Sequence, residues 1–184
     1  MLLRRRYPHN VAIYFVRKYI HMAGGGVVAL LVPHLFTSPI VPTVLSLGFT
    51  LLLLAARRLR LLYWFQTGEN AYEVNFTIAW GLSLYAIWTL TGDPRLAVVP
   101  ALLISFGDGI TGVVRNLLFK RRTKHWSGNL AMLPVSIGLG YAYGGPLGAI
   151  AGIVASLVER LEAPPIDDNL IIAAATTLVI ILLH

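Results

Sequence analysis

The sequence predicts an all-α integral membrane protein, a polytopic helical bundle of about seven hydrophobic segments. Of its 184 residues, 57% are hydrophobic and only 12% are charged, and the mean hydropathy is +0.71. Soluble domains carry about 25% charged residues. Several apolar runs also approach the roughly 20 residues that a helix needs to cross a hydrocarbon core of about 30 Å. The absence of cysteine excludes disulfides and thiolate zinc sites.

The hydrophobic segments divide the chain into short units joined by polar connections. The first four approach spanning length, the fifth and sixth are short, and the last is near the minimum. We therefore expect a single membrane-embedded domain over residues 1–184, with residues 1–16 as an N-terminal tail. The segments are residues 20–36, 40–56, 74–91, 96–116, 129–143, 147–159 and 169–184.

A stripe of small residues runs through the fifth and sixth segments. Small residues at four-residue spacing let helices approach closely, either within one chain or between two copies in a homodimer. The sequence Gly144-Gly145-Pro146 interrupts the stripe and is typical of a turn. We expect two short spans or a re-entrant hairpin that returns the chain to the side from which it came. The stripe consists of Gly140, Gly144, Gly148, Gly152 and Ser156.

The basic residues predict the orientation in the membrane. Fourteen of the fifteen Lys and Arg residues lie on one side of the predicted topology, and Arg95 alone lies on the other. The positive-inside rule then places the N-terminus in the cytoplasm and His184 outside. In so apolar a chain, a net charge of +7 indicates loops at an anionic membrane face rather than nucleic-acid binding.

Asp108 is the first candidate for chemistry. It lies within the apolar run of residues 101–115, where a charge costs roughly 2.5–3.5 kcal/mol on insertion scales and usually serves a pathway or a site. Gly107 and Gly109 flank it and leave room for another chain or a ligand beside the carboxylate. The alternative is an acid paired within the bundle for structural reasons.

The predicted topology collects other polar residues on the cytoplasmic side. Seven of the eight acids lie there, together with the basic loop of residues 120–129. Carboxylates can hold a hard divalent cation, while Lys and Arg hold the phosphates that the cation bridges. In this loop Lys124 precedes Ser127, Gly128 and Asn129, which offer donors just before a helix N-terminus.

Each of these groups also has a structural interpretation. The basic loop could serve simply to contact anionic lipid. The sequence Asp167-Asp168-Asn169 could cap the last helix, although two adjacent acids exceed what capping needs and their repulsion favours a cation. Glu159 could serve simply as the ion-pair partner of Arg160. His21 lies at i+4 from Arg17, where a structural role is the commoner one.

The order of these motifs resembles the polyprenol kinase family, which includes CTP-dependent dolichol kinases, phytol kinases and a CTP-dependent diacylglycerol kinase. The resemblance runs from about Arg17 to Leu170, and Glu73 begins a less distinct element of it. The chain departs from the family's pattern at Thr111-Gly112 and at His125. The matching motifs are Arg17-Lys18 with His21, Gly107-Asp108-Gly109, Lys124 with Trp126 and Gly128-Asn129, Val158-Glu159, and Asp167-Asp168-Asn169.

The resemblance implies transfer of the γ-phosphoryl group of CTP to a long isoprenoid alcohol at the cytoplasmic face. It also implies Mg²⁺, with Asp108, Asp167, Asp168 and Glu159 as the expected ligands. One of the aspartates would alternatively orient or deprotonate the attacking hydroxyl. The expected phosphate-binding residues are Gly107, Gly109, Arg115, Arg122, Lys124, Ser127, Gly128, Asn129 and Asn169, and further candidates are Arg17, Lys18, His21 and Glu73.

Three other activities compete with this interpretation. A lipid cytidylyltransferase would use the same nucleotide, metal and carboxylates, but would release pyrophosphate. A CDP-alcohol phosphotransferase needs a set of four aspartates on its helices, whereas Asp108 is the only acid in its span. A small transporter or scaffold would distribute acids across the membrane depth rather than on one side.

Overall fold

The computed structural model describes residues 9–62, 64, 71–121, 123–162 and 166–184, with side chains from residue 13 onward, and these ranges contain helices and no strand. Two π-helical turns, π1 and π2, interrupt the α-helices. Helix α1 begins within the stretch that the sequence predicts to be a tail. The elements are α1 (His9–Ile20), π1 (His21–Gly26), α2 (Val27–Leu35), α3 (Ile40–Arg58), α4 (Tyr72–Thr91), α5 (Pro94–Ala97), α6 (Val99–Leu102), π2 (Leu103–Gly107), α7 (Asp108–Phe119), α8 (Trp126–Val158) and α9 (Asp168–Leu183).

Among the described residues, four helical stretches are long and apolar enough to cross a membrane, and α9 is a shorter apolar helix. Helix α3 shows the lipid-facing character most clearly, since Leu51 and Leu52 are 67% and 66% exposed. The all-helical class is therefore confirmed, and the apolar stretches support an integral membrane protein. The four stretches are Ile13–Leu35, Ile40–Arg58, Pro94–Phe119 and Trp126–Val158.

Helix α8 is broken at Gly145, within the turn that the sequence predicts. Gly145 has φ 57° and ψ −146°, a conformation that side-chain-bearing residues rarely adopt. The two arms then lie side by side, because Gly140 touches the backbone of Gly148 and Gly152 touches that of Ser136. Residues 129–143 and 147–159 therefore lie in the two arms of α8, one before and one after the break, and we call this arrangement the α8 hairpin.

Further down this hairpin, hydrogen bonds join its two ends. The side-chain amide of Asn129 donates to the carbonyl of Ser156, and the Ser156 hydroxyl donates to the carbonyl of Asn129 at 2.9 Å. Buried polar groups need such partners to offset their loss of water. The end of α8 therefore returns to its start.

The π-helical turns pack against each other in the interior. An added Cβ at Gly26 would lie 2.6 Å from the ring of Phe106, and one at Gly25 would lie 3.1 Å from Ser105 Oγ. Such turns recur at functional sites. Here π1 follows Lys18 closely and π2 ends directly before Asp108, so the two irregular turns position this pair of residues.

The charges separate along the bundle. Arg95 donates to the carbonyl of Ala142 at 3.2 Å and lies over the Tyr143 ring, next to the break in α8. Asn129 and Ala142 are separated by roughly 20 Å along a helix that rises 1.5 Å per residue. The structure thus places Arg95 at the opposite end of the α8 hairpin from Lys124.

Candidate functional site

Three buried carboxylates meet at the open end of the α8 hairpin. Asp108, Glu159 and Asp168 each offer an oxygen, and these oxygens all lie within 4.8 Å of one another. The three residues are 1%, 1% and 7% exposed. They come from the first residue of α7, the residue after α8 and the first residue of α9. We call this group the carboxylate cluster.

Three cations pair with the carboxylate cluster. Lys18 from α1 pairs with Asp108. Arg115 donates to both oxygens of Glu159, at 2.6 and 2.7 Å. Lys124 donates to Glu159 Oε1 at 3.0 Å and to Asp168 Oδ2 at 2.7 Å. Each carboxylate of the cluster therefore has a cationic partner among the described residues, as buried charges need.

The Lys124 ammonium bridges two carboxylates. It also donates to the carbonyl of Glu159 at 2.7 Å, and its side chain is 26% exposed. Burial alone would lower the pKa of Lys124, but the charges of Asp168 and Glu159 outweigh it and raise this pKa above its ordinary value. The Lys124 ammonium therefore lies where oxygen atoms from the end of α8 and the start of α9 converge.

The geometry of Glu159 differs from the pairing with Arg160 that the sequence allowed. Arg160 instead lies over the ring of Trp126, 4.1 Å from its centroid. Burial alone would raise the pKa of Glu159, but the hydrogen bonds from Arg115 and the charge of Lys124 hold this pKa below its ordinary value. Glu159 is therefore an anion at the centre of the cluster.

Asp167 lies outside the carboxylate cluster and caps α9. Its side chain accepts from the backbone N–H of Leu170 at 3.1 Å and from the amide of Asn169 at 3.1 Å. Burial and the charge of Asp168 raise the pKa of Asp167 to about 6. The capping role, which the sequence left open for both acids, thus falls to Asp167, while Asp168 joins the cluster. The expected pair of metal-binding aspartates is divided between two roles.

Gly128 serves a packing role at the start of α8. A Cβ there would lie 2.7 Å from Cζ of Arg115. Arg115 also donates to the carbonyl of His125 at 2.8 Å and to Asn129 Oδ1 at 2.9 Å. The sequence predicts Gly128 and Asn129 as phosphate contacts, whereas in the structure both support Arg115.

The glycines that flank Asp108 also make room for neighbouring helices. A Cβ at Gly107 would lie 2.6 Å from Ser136 Oγ, and one at Gly109 would lie 2.8 Å from Met22 Sδ. The close approach that the sequence predicts therefore exists, and it is made by α8 and π1.

A narrow polar cleft opens beside the carboxylate cluster. Arg17 forms part of its wall and stacks over the Tyr72 ring, 4.3 Å from the centroid. Asn169 presents a buried Oδ1 without a hydrogen-bond partner among the described residues. Of the carboxylate cluster, Asp168 lines this cleft. Its lining comprises Tyr14, Arg17, Lys18, His21, Tyr72, Arg115, Thr123, Lys124, Asp168 and Asn169.

Two further predicted site residues, Glu73 and Ser127, make their contacts outside the cluster. Glu73 pairs with Arg57 at 3.1 Å. Ser127 belongs to the first turn of α8, where its backbone N–H donates to the side chain of His125. Arg122 lies outside the described residues.

Two contacts of the site were missed by sequence reasoning. Thr111 donates to Asp108 Oδ1 at 3.2 Å, and the ring of Tyr14 lies 5.3 Å from the Lys18 ammonium. Thr111 follows Asp108 at i+3 and Tyr14 precedes Lys18 at i−4, so helical spacing would have indicated both.

Comparisons with protein-family models, with curated protein sequences and with solved structures give no match to this chain. The functional interpretation therefore depends on the chemistry of the site. Asp108, Glu159 and Asp168 form an all-oxygen donor set, which suits a hard divalent cation such as Mg²⁺. Lys124 already places a positive charge beside two of these carboxylates, Glu159 and Asp168.

Proposed function

We propose that the protein is a lipid kinase that transfers the γ-phosphoryl group of CTP to the hydroxyl of a polyprenol-type alcohol, such as dolichol, phytol or geranylgeraniol. The observation that carries the proposal is the meeting of three carboxylates and three cations, remote along the chain, at one end of an apolar bundle. The order of motifs shared with polyprenol kinases supplies the choice of CTP and of an isoprenoid acceptor. We further propose that this end of the bundle faces the cytoplasm, as the distribution of basic residues indicates.

The reaction asks for positioning and charge neutralisation more than for covalent chemistry. The alcohol oxygen forms a bond to the γ-phosphorus while the bond from that phosphorus to the β,γ-bridging oxygen breaks. CDP leaves, and the hydroxyl proton passes to a carboxylate or to water. In such a bundle the hydrocarbon chain of the alcohol would lie among the apolar helices, while the charged residues at one end would meet the nucleotide. This arrangement suits a phosphoryl donor that arrives from water and an acceptor that arrives from the lipid.

The carboxylate cluster is the proposed Mg²⁺ site, with Asp108, Glu159 and Asp168 as ligands. The bound ion would neutralise charge on the nucleotide phosphates. Lys124 is the cation of the site best suited to bind phosphate, because its flexible, partly exposed side chain can turn from the carboxylates toward an entering nucleotide. Arg115, which has several buried partners, would keep Glu159 in place.

The test uses purified protein in detergent with γ-labelled CTP or ATP and a panel of lipid alcohols. We expect labelled lipid from the wild type and at least about a hundredfold less from Asp108→Asn, the scale of losing one charge-stabilising group. The matched control is Asp93→Asn, which makes the same change at the cap of α5, where Asn also caps well. Equal labelling by Asp108→Asn and the wild type would remove Asp108 from the site.

Two further experiments test the proposed activity. Asp108→Asn leaves Lys18 as a buried charge without its carboxylate, so the double variant Lys18→Met/Asp108→Leu is compared by size-exclusion chromatography and must be folded yet inactive. Label on the α-phosphate separates the kinase from a cytidylyltransferase. A cytidylyltransferase moves the α-label into lipid and leaves the γ-label in pyrophosphate, which would overturn the proposal.

A further inference from the structure

A second cleft, with a mainly apolar surface, opens on the apolar outer side of the bundle. Its volume is about 360 Å³, within the range of small-ligand pockets. Its walls include residues of π1, α2, α3 and α4. Its outer rim is apolar and open, since Val28, Leu45 and Phe49 are 47%, 60% and 54% exposed. We call it the lateral cleft.

The inner wall of the lateral cleft carries His21. This residue is 3% exposed, and neither ring nitrogen has a hydrogen-bond partner among the described residues. Its ring stacks on Phe76, with centroids 3.9 Å apart, so the imidazole is fixed against the cleft wall. A buried polar group without a partner costs stability, which a ligand hydroxyl would recover.

His21 also lines the polar cleft beside the carboxylate cluster. It is therefore a residue that both clefts share, with hydrocarbon-lined space on one side and Lys18, Lys124 and Asp168 on the other. A molecule with an apolar chain and one terminal hydroxyl matches this arrangement, because its chain would lie in the apolar space and its hydroxyl beside the charged residues. A diacyl lipid with an anionic headgroup does not, because the surface of the lateral cleft is mainly apolar and the Glu73 carboxylate in its lining would repel a phosphate.

We infer that the lateral cleft binds the hydrocarbon chain of the acceptor alcohol and that His21 hydrogen-bonds its hydroxyl. The inference rests on the proposed function, since it names the acceptor's place in the same site. In this arrangement the chain enters sideways from the lipid, and the hydroxyl reaches the junction with the polar cleft, where the carboxylate cluster begins.

Photo-crosslinking of the full chain in nanodiscs tests the occupant. The probe is geranylgeraniol with a diazirine in its chain and an alkyne tag, and a second probe is the same hydrocarbon without the hydroxyl. We expect modified peptides from residues 20–28 and 45–49. We also expect His21→Ala to weaken capture of the alcohol by about fivefold, equivalent to one hydrogen bond, while leaving capture of the hydrocarbon unchanged.

A matched pair of glycine substitutions blocks the cleft. Gly24 lines it, and Gly48 on α3 does not, while an added Cβ at either position meets no atom within 4 Å. Gly24→Leu should abolish crosslinking and raise KM for the alcohol but not for CTP. Gly48→Leu should change neither. Both variants are checked for folding by size-exclusion chromatography.

The outcomes separate this inference from the proposed function. Two results would overturn the proposed binding of the alcohol in the lateral cleft but not the proposed kinase activity. One is crosslinks concentrated on other helices, and the other is a normal KM for the alcohol in Gly24→Leu, each together with γ-phosphate transfer. Crosslinks in the cleft that depend on His21, without transfer of label from CTP, would support the cleft and overturn the kinase.

Discussion

Arg115 is the residue on which the geometry of the site depends most. Its planar guanidinium holds both oxygens of Glu159, the amide oxygen of Asn129 and the carbonyl of His125 at once. A lysine carries the same charge but lacks the fork that matches a carboxylate with two parallel bonds. Gly128 makes this arrangement possible, since a side chain at that position would occupy the space of the guanidinium.

Arg115→Lys should therefore lower stability although the charge is kept. We expect a loss of roughly 1–3 kcal/mol, the cost of leaving buried acceptors without donors. The measurement is the thermal unfolding midpoint in detergent, followed by tryptophan fluorescence. Arg57→Lys is the control, because Arg57 pairs with Glu73 from a side chain that is 26% exposed. Equal shifts in the two variants would contradict the central role of Arg115.

At the scale of elements, the α8 hairpin brings the two ends of a 33-residue helix together. Its arms are so close that backbone touches backbone at Gly140 and Gly148. This contact determines the site, because Glu159 at the end of one arm must return to Asn129 at the start of the other. A straight helix of this length would separate its ends by roughly 50 Å.

Gly140→Ala tests whether the hairpin holds the site. The added methyl would meet the backbone of Gly148, which cannot move as a flexible side chain would. We expect a lower unfolding midpoint and reduced activity, corresponding to about 1–3 kcal/mol for overpacking. Gly138→Ala, two residues earlier in the same arm, has open space at its Cβ and should be neutral or stabilising. Destabilisation by both variants alike would argue against the packing explanation.

At the scale of the whole molecule, the site draws on α1, α7, the connection before α8, the end of α8 and the start of α9. Each buried carboxylate of the cluster meets its cationic partner only when all of these elements are in place. Ligand binding to such a site should stabilise the entire fold, since binding to the native state alone shifts the unfolding equilibrium.

Mg²⁺ together with CTP should raise the unfolding midpoint of the wild type. At a ligand concentration of about 100 Kd the gain is roughly 2.7 kcal/mol. Asp168→Asn removes one proposed ligand and should abolish most of the shift, as should EDTA. Asp93→Asn should keep it. A full shift in Asp168→Asn would show that the nucleotide complex binds elsewhere.

The sequence by itself determined the helical membrane class, because composition and the lengths of apolar runs follow directly from the residues. It also singled out Asp108, since a charged residue is expensive within an apolar span. The motif order that resembles polyprenol kinases added Lys124, Glu159 and Asp168. The turn at Gly145 was readable for a similar local reason, as glycine and proline mark breaks.

Only the tertiary structure decided which charges meet. It paired Lys18 with Asp108, gave Asp167 to the cap of α9, and assigned Gly107, Gly109 and Gly128 to close packing. These choices depend on residues far apart along the chain and on the direction in which each side chain leaves its helix. Local patterns contain neither, because a helix end offers the same sequence signal whether its carboxylate turns back to the backbone or inward to a cluster.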